Sequence, residues 1–489
     1  MIDETRWLRP ADYAGLGDRF GCIQGGAGAA QPRLLFWNVQ LAADSGWPAQ
    51  QQPDPQLLCG ARPPAHGQGF ASAYAGHQFG HFVARLGDGR ALLLGDLLIG
   101  GQPHELQLKG SGRTSFSRGG DGRAALGPVL REVIVAEAMH ALGIPSTRSL
   151  AAVATGEQVW RDTGPQPGAV LARVAASHVR VGSFEFFAAR RDHASLRALL
   201  DWVIRRHYPE CAEAERPALA VLQQVCARQA ALVAQWLSVG FVHGVMNTDN
   251  MTLSGETIDY GPCALLDEYK SNKVFSSIDR SGRYAYGQQP AIAQWNLARL
   301  AECLLPLVDA DERRAIDLVL PCIEGFPEQF AAPWLACFSA KLGIADTQPS
   351  DVALVQDFLA LLEQGQHDFT LAFRSLADRL DGADWPAGLL DPTAHPSFAG
   401  WLERWRARLA TATSPHPRTA AALRTVNPAV VPRNHQIEAA ISAATEGDFQ
   451  PFERMLDACT HPFAQTPAQL AFMQPPKPAE RVLQTFCGT

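Results

Sequence analysis

The stretch that decides the fold runs Gly240-Phe241-Val242-His243-Gly244-Val245-Met246-Asn247-Thr248-Asp249-Asn250-Met251, followed shortly by Thr257-Ile258-Asp259-Tyr260-Gly261-Pro262. A histidine sits early in it, and four polar residues, Asn247 to Asn250, stand together before the chain turns apolar again. Asn250 and Asp259 are hard oxygen donors, suited to a divalent cation that also holds phosphate groups. Asp249 places a carboxylate, a possible proton acceptor, directly beside them.

Protein-kinase catalytic loops run His-x-Asp-x-x-x-x-Asn and are followed by Asp-Phe-Gly, with the Asn and the second Asp holding the metals. Here His243 and Asn250 are seven residues apart, as in that pattern, and Asp259-Tyr260-Gly261 takes the place of the triplet. The position of the kinase base, two after the histidine, is Val245. A valine cannot take a proton. Asp249 and Asn247 are the polar residues available nearby.

Upstream, glycine is concentrated: 13 of the 42 glycines fall between Gly76 and Gly127. That region reads as a strand from Phe79 to Leu86, a Gly87-Asp88-Gly89 turn, and a strand from Arg90 to Leu94. Glu105-Leu106-Gln107-Leu108-Lys109 alternates polar and apolar, as a half-buried strand does. Only five of the 42 basic residues are lysines, and Lys109 is alone in the first 269 residues. An ammonium is a compact point charge where guanidinium is a wide planar fork. From Lys109 to Arg123 four basic residues (Lys109, Arg113, Arg118, Arg123) face one acid, Asp121, among eight glycines and serines. Such a loop can cradle a polyphosphate on backbone N–H groups and basic heads, although no Walker A motif is present. A helix is expected from about Pro128, ended by Gly143 and Pro145. Its Glu132 and Glu137 both could hold Lys109 as a kinase helix carboxylate does, and helical spacing does not choose between them. Arg173 and Arg180 supply two more cations for a second anion grip.

A strand-rich first third followed by helices (Leu196 to Arg206, Arg216 to Val239, Ala291 to Leu307, Val352 to Gln364, Pro396 to Ala412) predicts an α+β, two-lobed layout. The division expected is 1–180, an N-terminal extension and strand-rich lobe with the nucleotide loops, and 181–489, a helical lobe with a C-terminal helical extension. The Pro/Gln-rich stretch 47–55 and Gln474-Pro475-Pro476-Lys477 read as surface loops. The formal charge of −7 argues against a nucleic-acid partner held by overall positive charge. No apolar run approaches the ~20 residues of a membrane span, and residues 1–7 lack a leader pattern. Ten cysteines without a C-x-x-C pair suggest reduced thiols in a cytoplasm rather than zinc or disulfides.

Together these segments resemble the selenoprotein O family (SelO, YdiU in bacteria), protein adenylyltransferases on a kinase-like fold. The matching strings include Tyr74-Ala75-Gly76-His77-Gln78-Phe79-Gly80, Leu86 through Arg90, Gln107 through Arg123, and Glu137 through Pro145. Gly182-Ser183-Phe184-Glu185, His243 through Asn250, and Gly282-Arg283-Tyr284 continue the likeness. The resemblance implies ATP bound flipped relative to a kinase, with AMP transferred to a protein Ser, Thr or Tyr hydroxyl and pyrophosphate released. Carried over by position, Gly87, Gly89, Arg90, Lys109, Asp121, Gly122, Arg173, Arg180 and Asp259 would contact ATP, with Glu132 pairing Lys109. Asp249 would be the general base, and Asn250 with Asp259 the Mg²⁺ or Mn²⁺ ligands. Family members elsewhere carry a selenocysteine near the C-terminus, where this chain has Phe486-Cys487-Gly488-Thr489; some bacterial relatives pair that cysteine with one in the segment Asp267 to Asp279, which here contains none.

Two other readings compete with adenylyl transfer. One is uridylyl transfer from UTP with manganese; the other is a nucleotide-binding scaffold without catalysis. An ordinary phosphotransferase is disfavoured by Val245.

Overall fold

The computed structural model describes residues 6–48, 52–383, 396–411 and 419–486; Cys487 lies outside them, as do residues 49–51 of the proline-rich stretch. The chain is mixed α/β, with strands concentrated before residue 176 and helices after it. One antiparallel sheet carries, in spatial order, Gly21–Gln24, Gly69–Ser72, Ala91–Ile99, Gln102–Lys109, Gly164–Ala175, Arg148–Arg161 and Arg33–Trp37. The short strand Ala124–Ala125 pairs off this path with Gly164–Ala175.

Alternation along two central strands decides what reaches the interior. In Gly164–Ala175, Val170, Ala172 and Val174 pack into a cluster with Trp7, Trp47 and Leu57, whereas Ala169 and Leu171 face the helix Leu126–Ala141. Arg173 shares the parity of Leu171 and so turns to that helix. Leu106 and Leu108 face the Trp7 cluster, which leaves Glu105, Gln107 and Lys109 for the other side. The register sets Leu171 opposite Lys109 and Arg173 opposite Gln107. Four polar side chains, Glu105, Gln107, Lys109 and Arg173, are thereby brought onto one face by the pleat alone.

The helix expected from Pro128 begins at Leu126 and runs to Ala141, one face on the sheet and its outer side covered by helices Asn434–Thr445 and Gln450–Thr460 from the far end of the chain. The expected helices appear as His193–His207, Pro217–Ser238, Gln289–Val308, Asp351–Gly365 and Pro396–Thr411. A further helix, Val181–Ala188, follows Arg180 directly. A second apolar core gathers Phe358, Phe373, Trp401 and Trp405, with Trp401 stacked 4.4 Å from Phe358.

Three local expectations are corrected. Phe79 to Leu86 is no single strand: Gly76–Gln78 and His81–Val83 form a hairpin whose turn, Phe79-Gly80, has both φ angles positive (52° and 84°). That is the turn geometry whose twist suits two-residue hairpins. The strand expected over Arg90 to Leu94 starts at Ala91 and continues to Ile99. In the stretch 47–55, Trp47 is buried and Asp54 caps a short helix, Pro55–Leu58, so those ends are not free loop.

Candidate active site

The face prepared by the sheet receives two neighbours. Helix Leu126–Ala141 contributes Glu132, whose Oε2 lies 2.7 Å from Lys109 Nζ and whose Oε1 lies 3.2 Å from Arg173. Five residues along a helix is a rotation of roughly 140°, so Glu137 points elsewhere. It accepts from Arg148 at 2.7 Å, from Asn38 at 2.8 Å and from the Ser149 N–H at 2.8 Å. Glu132 is therefore the partner of Lys109.

The second neighbour is Asp259, held at φ 64°, an uncommon left-handed conformation for a residue with a side chain. Its carboxylate meets Lys109 at 2.5 Å, Arg173 at 2.8 Å and Arg180 at 3.5 Å. Burial alone would raise its pKa, but these three cations outweigh it and hold the carboxyl well below the ordinary range. Gln107, to which sequence pattern assigns no role, fixes Arg173 by accepting from Nε at 2.9 Å and Nη2 at 2.7 Å. Its own amide donates to buried Asp88 at 3.2 Å.

The 240–251 loop is tied to Asp259 through His243. A carbonyl can only accept, so Nε2–H of His243 donates to Ile258 O at 2.9 Å, and burial pulls the imidazole pKa down. The ring is a neutral strut. Val245 is buried, as its apolar side chain requires. Its carbonyl accepts from Asn250 Nδ2 at 2.9 Å, which commits the amide nitrogen and leaves Oδ1 as the oxygen free to bind a cation. Arg180 donates to the Asp249 backbone carbonyl at 2.8 Å and stacks 4.5 Å over Tyr74. Asp249 Oδ1 is buried without a hydrogen-bond partner, and burial pushes the carboxyl up to about 6. Gln78 reaches Oδ2 only at 3.5 Å.

The glycine turns meet Lys109 at one end of the sheet. Ala91 pairs with Lys109, and Gly110 N donates to Arg90 O at 2.7 Å. Gly87 has φ 78°, and a Cβ there would sit 2.3 Å from the Phe116 ring. The second loop folds over the first: Thr114 Oγ1 donates to Asp88 O at 2.6 Å and the Ser117 hydroxyl to Gly89 O. Gly122 O accepts from Gly112 N at 3.0 Å, closing the loop base. Asp121 stands apart from the Asp259 cluster: its half-exposed carboxylate is held by Arg161 at 2.8 Å and the Arg123 N–H at 2.9 Å. Burial would raise its pKa, but those hydrogen bonds and the charges of Arg161 and Arg123 together bring it down.

Among the described residues no three His, Cys, Asp or Glu side chains are grouped to hold a metal on their own. Asn250 and Asp259 suit a magnesium-type ion instead, which keeps water and phosphate oxygens beside one or two protein ligands. The unpartnered carboxylate oxygen of Asp249 next to them fits the same region of charge.

The family described as "Protein adenylyltransferase SelO" matches residues 11–460. A protein nucleotidyltransferase YdiU of Rhodopseudomonas palustris (strain BisB5) is 54% identical over 485 residues, 98% of this chain and 98% of that protein. Proteins of the same name from Rhizobium etli and Rhizobium meliloti (strain 1021) are each 52% identical, covering 98% and 94% of this chain and 96% and 95% of their own length. The chain belongs to the SelO family of protein adenylyltransferases.

Proposed function

We propose that this protein nucleotidyltransferase moves AMP from ATP to a Ser, Thr or Tyr hydroxyl of a protein, with the triphosphate entering γ end first. The arrangement is read as a kinase-like pair of lobes, residues 1–180 and 181–489, with the site between them. The observation that carries the reading is the depth of the cations. Arg173 and Arg180 are almost wholly buried, at 3% and 2% exposure. With Lys109 they set three positive charges against the carboxylates of Glu132 and Asp259. An uncharged adenine offers these buried cations no ion pair, whereas terminal phosphates meet them with charge-assisted hydrogen bonds.

In that orientation the α-phosphorus lies outward, toward Asp249. The acceptor oxygen attacks it, the bond from α-phosphorus to the bridging oxygen breaks, and pyrophosphate leaves with that electron pair. The hydroxyl proton passes to Asp249, whose free Oδ1 and pKa near 6 suit a base at neutral pH. Lys109, Arg173 and Arg180 hold the charge that collects on pyrophosphate. Asn250 and Asp259 would hold Mg²⁺ or Mn²⁺, which supplies further neutralisation of the phosphates. Gly87, Gly89, Arg90, Asp121 and Gly122 are assigned to further contact with the nucleotide. Among the described residues no helix is long and apolar enough to cross a membrane, and the buried Cys226, Cys303 and Cys459 are free thiols. Such unpaired buried thiols suit the cytoplasmic setting proposed here.

Incubation with a bacterial lysate, Mg²⁺ and ATP labelled on either the α- or the γ-phosphate tests the reaction. Label retained on protein from α-ATP alone supports adenylyl transfer. Retention from γ-ATP overturns it.

A further inference from the structure

Between Asp249 and the surface lies the hairpin Gly76–Val83, bolted to the loop below it. His77 N donates to Thr248 Oγ1 at 2.7 Å and Phe79 N to Asn247 Oδ1 at 3.0 Å. The same Asn247 oxygen accepts from Tyr284 OH at 2.7 Å. Hairpin, loop and the 283–284 segment therefore form one unit around the base.

At the hairpin tip stands Arg283. A Cβ built on Gly80 would lie 3.7 Å from its Cζ, so the guanidinium rests against bare backbone. It stacks 4.8 Å from the Trp295 ring and 5.7 Å from Tyr284. No carboxylate pairs with it among the described residues, and its Nε is buried without a hydrogen-bond partner. The acid nearest in sequence, Asp279, is already engaged by the backbone N–H groups of Arg283 and Tyr284, at 3.0 and 2.8 Å. At the other end of the hairpin Arg190 lies 3.6 Å over the Phe186 ring and donates to Ala84 O. Its pKa is drawn down by burial and by nearby Arg85, a like-charge pair. Both ends of the hairpin thus carry an arginine, in a protein whose net charge is −7.

A guanidinium held over two aromatic rings, with no carboxylate of its own chain paired to it among the described residues, is suited to take one from a substrate. We propose that Arg283 selects the acceptor: it binds an Asp or Glu side chain of the protein substrate close to the hydroxyl presented to Asp249. The aromatic stack fixes the guanidinium in advance, so little rotamer freedom is lost on binding. This specificity role rests on the assignment of the Asp249 side as the acceptor side.

The test uses the full-length protein with ATP, Mg²⁺ and synthetic peptides carrying one hydroxyl flanked by Glu, by its neutral isostere Gln, or by Lys. The wild type is expected to favour the Glu peptide over the Gln peptide by about tenfold in kcat/KM, and this ratio should fall toward one as ionic strength rises. Arg283→Gln should bring the ratio to about one even at low salt, Arg283→Lys should keep part of it, and Arg283→Glu should favour the Lys peptide. The salt series on the wild type needs no variant to fold. A wild type that labels the Glu and Gln peptides equally overturns the inference and leaves adenylyl transfer standing. So does a preference untouched by Arg283→Glu. Transfer of the γ-phosphate instead of AMP would overturn the functional reading and this inference with it.

Discussion

Lys109 Nζ lies 2.7 Å from Glu132 and 2.5 Å from Asp259, so one ammonium joins the sheet, the helix behind it and the turn after the 240–251 loop. The space is narrow, with the Lys109 side chain only 12% exposed. Two carboxylates converge on a point there, and a planar fork cannot take that geometry without displacing one of them. Lys109→Arg is expected to lower AMP transfer by about 10²-fold or more while keeping the charge. Steady-state labelling checks this; a loss under threefold would show that charge alone suffices at this position.

Asp259 gathers Lys109, Arg173 and Arg180 and is the carboxylate assigned to the metal. Asp259→Ala should abolish labelling. It also leaves buried cations uncompensated, at a cost of about 3 kcal/mol. Inorganic tripolyphosphate should then raise the melting temperature of the variant more than that of the wild type. Retained transfer would remove Asp259 from the metal site.

Asp249 is held at about 6 by burial, against about 3.9 in an unfolded chain. Between those values the unfolded carboxyl has lost its proton and the folded one has kept it. Stability therefore declines as pH rises through that window, and the full penalty stands above about pH 6. Asp249→Asn removes the penalty. The variant is expected to be more stable than wild type at pH 8 by about 1–3 kcal/mol, and not at pH 4, while losing transfer. Denaturant melts at both pH values check the sign, and kcat/KM of the wild type should rise with pH through about 6. Lower stability of Asp249→Asn at pH 8 would contradict the burial argument.

Gly76 has no side chain because Asp249 occupies the space: a Cβ would sit 2.6 Å from Oδ1 and 3.0 Å from Leu86 Cδ1. Gly76→Ala should displace the Asp249 carboxylate by a few tenths of an ångström or more. A roughly 10–10²-fold fall in kcat with little change in ATP affinity is expected, measured by labelling kinetics alongside nucleotide titration. Equal losses in ATP affinity would place the damage elsewhere.

The candidate site residues stand out in the sequence because charge and spacing mark them. Lys109 stands alone among arginines, and His243, Asn250 and Asp259 keep a recognisable interval. The choice between Glu132 and Glu137 was not legible. Both are buried, and what separates them is Arg148 and Asn38, which come from other elements to claim Glu137. Gln107 is not legible, because a neutral amide in an alternating strand carries no signal until its cross-strand neighbour is known to be Arg173. The helix Val181–Ala188 opens Val-Gly-Ser and holds three phenylalanines, residues of modest or poor helix propensity. Tertiary contact decides it: Ala75 N donates to Gly182 O at 2.9 Å, and a Cβ on Gly182 would lie 2.2 Å from Ala75 O. The cover supplied to Leu126–Ala141 by helices some 300 residues later is likewise invisible to local pattern.

The orientation of the triphosphate is the claim on which the mechanism depends, and a crystal structure with a non-hydrolysable ATP analogue and Mg²⁺ measures it directly. The account predicts the γ-phosphate among Lys109, Arg173 and Arg180, with the α-phosphorus facing Asp249. A γ-phosphate lying outward beside Asp249, with adenine against Arg173 and Arg180, would contradict it.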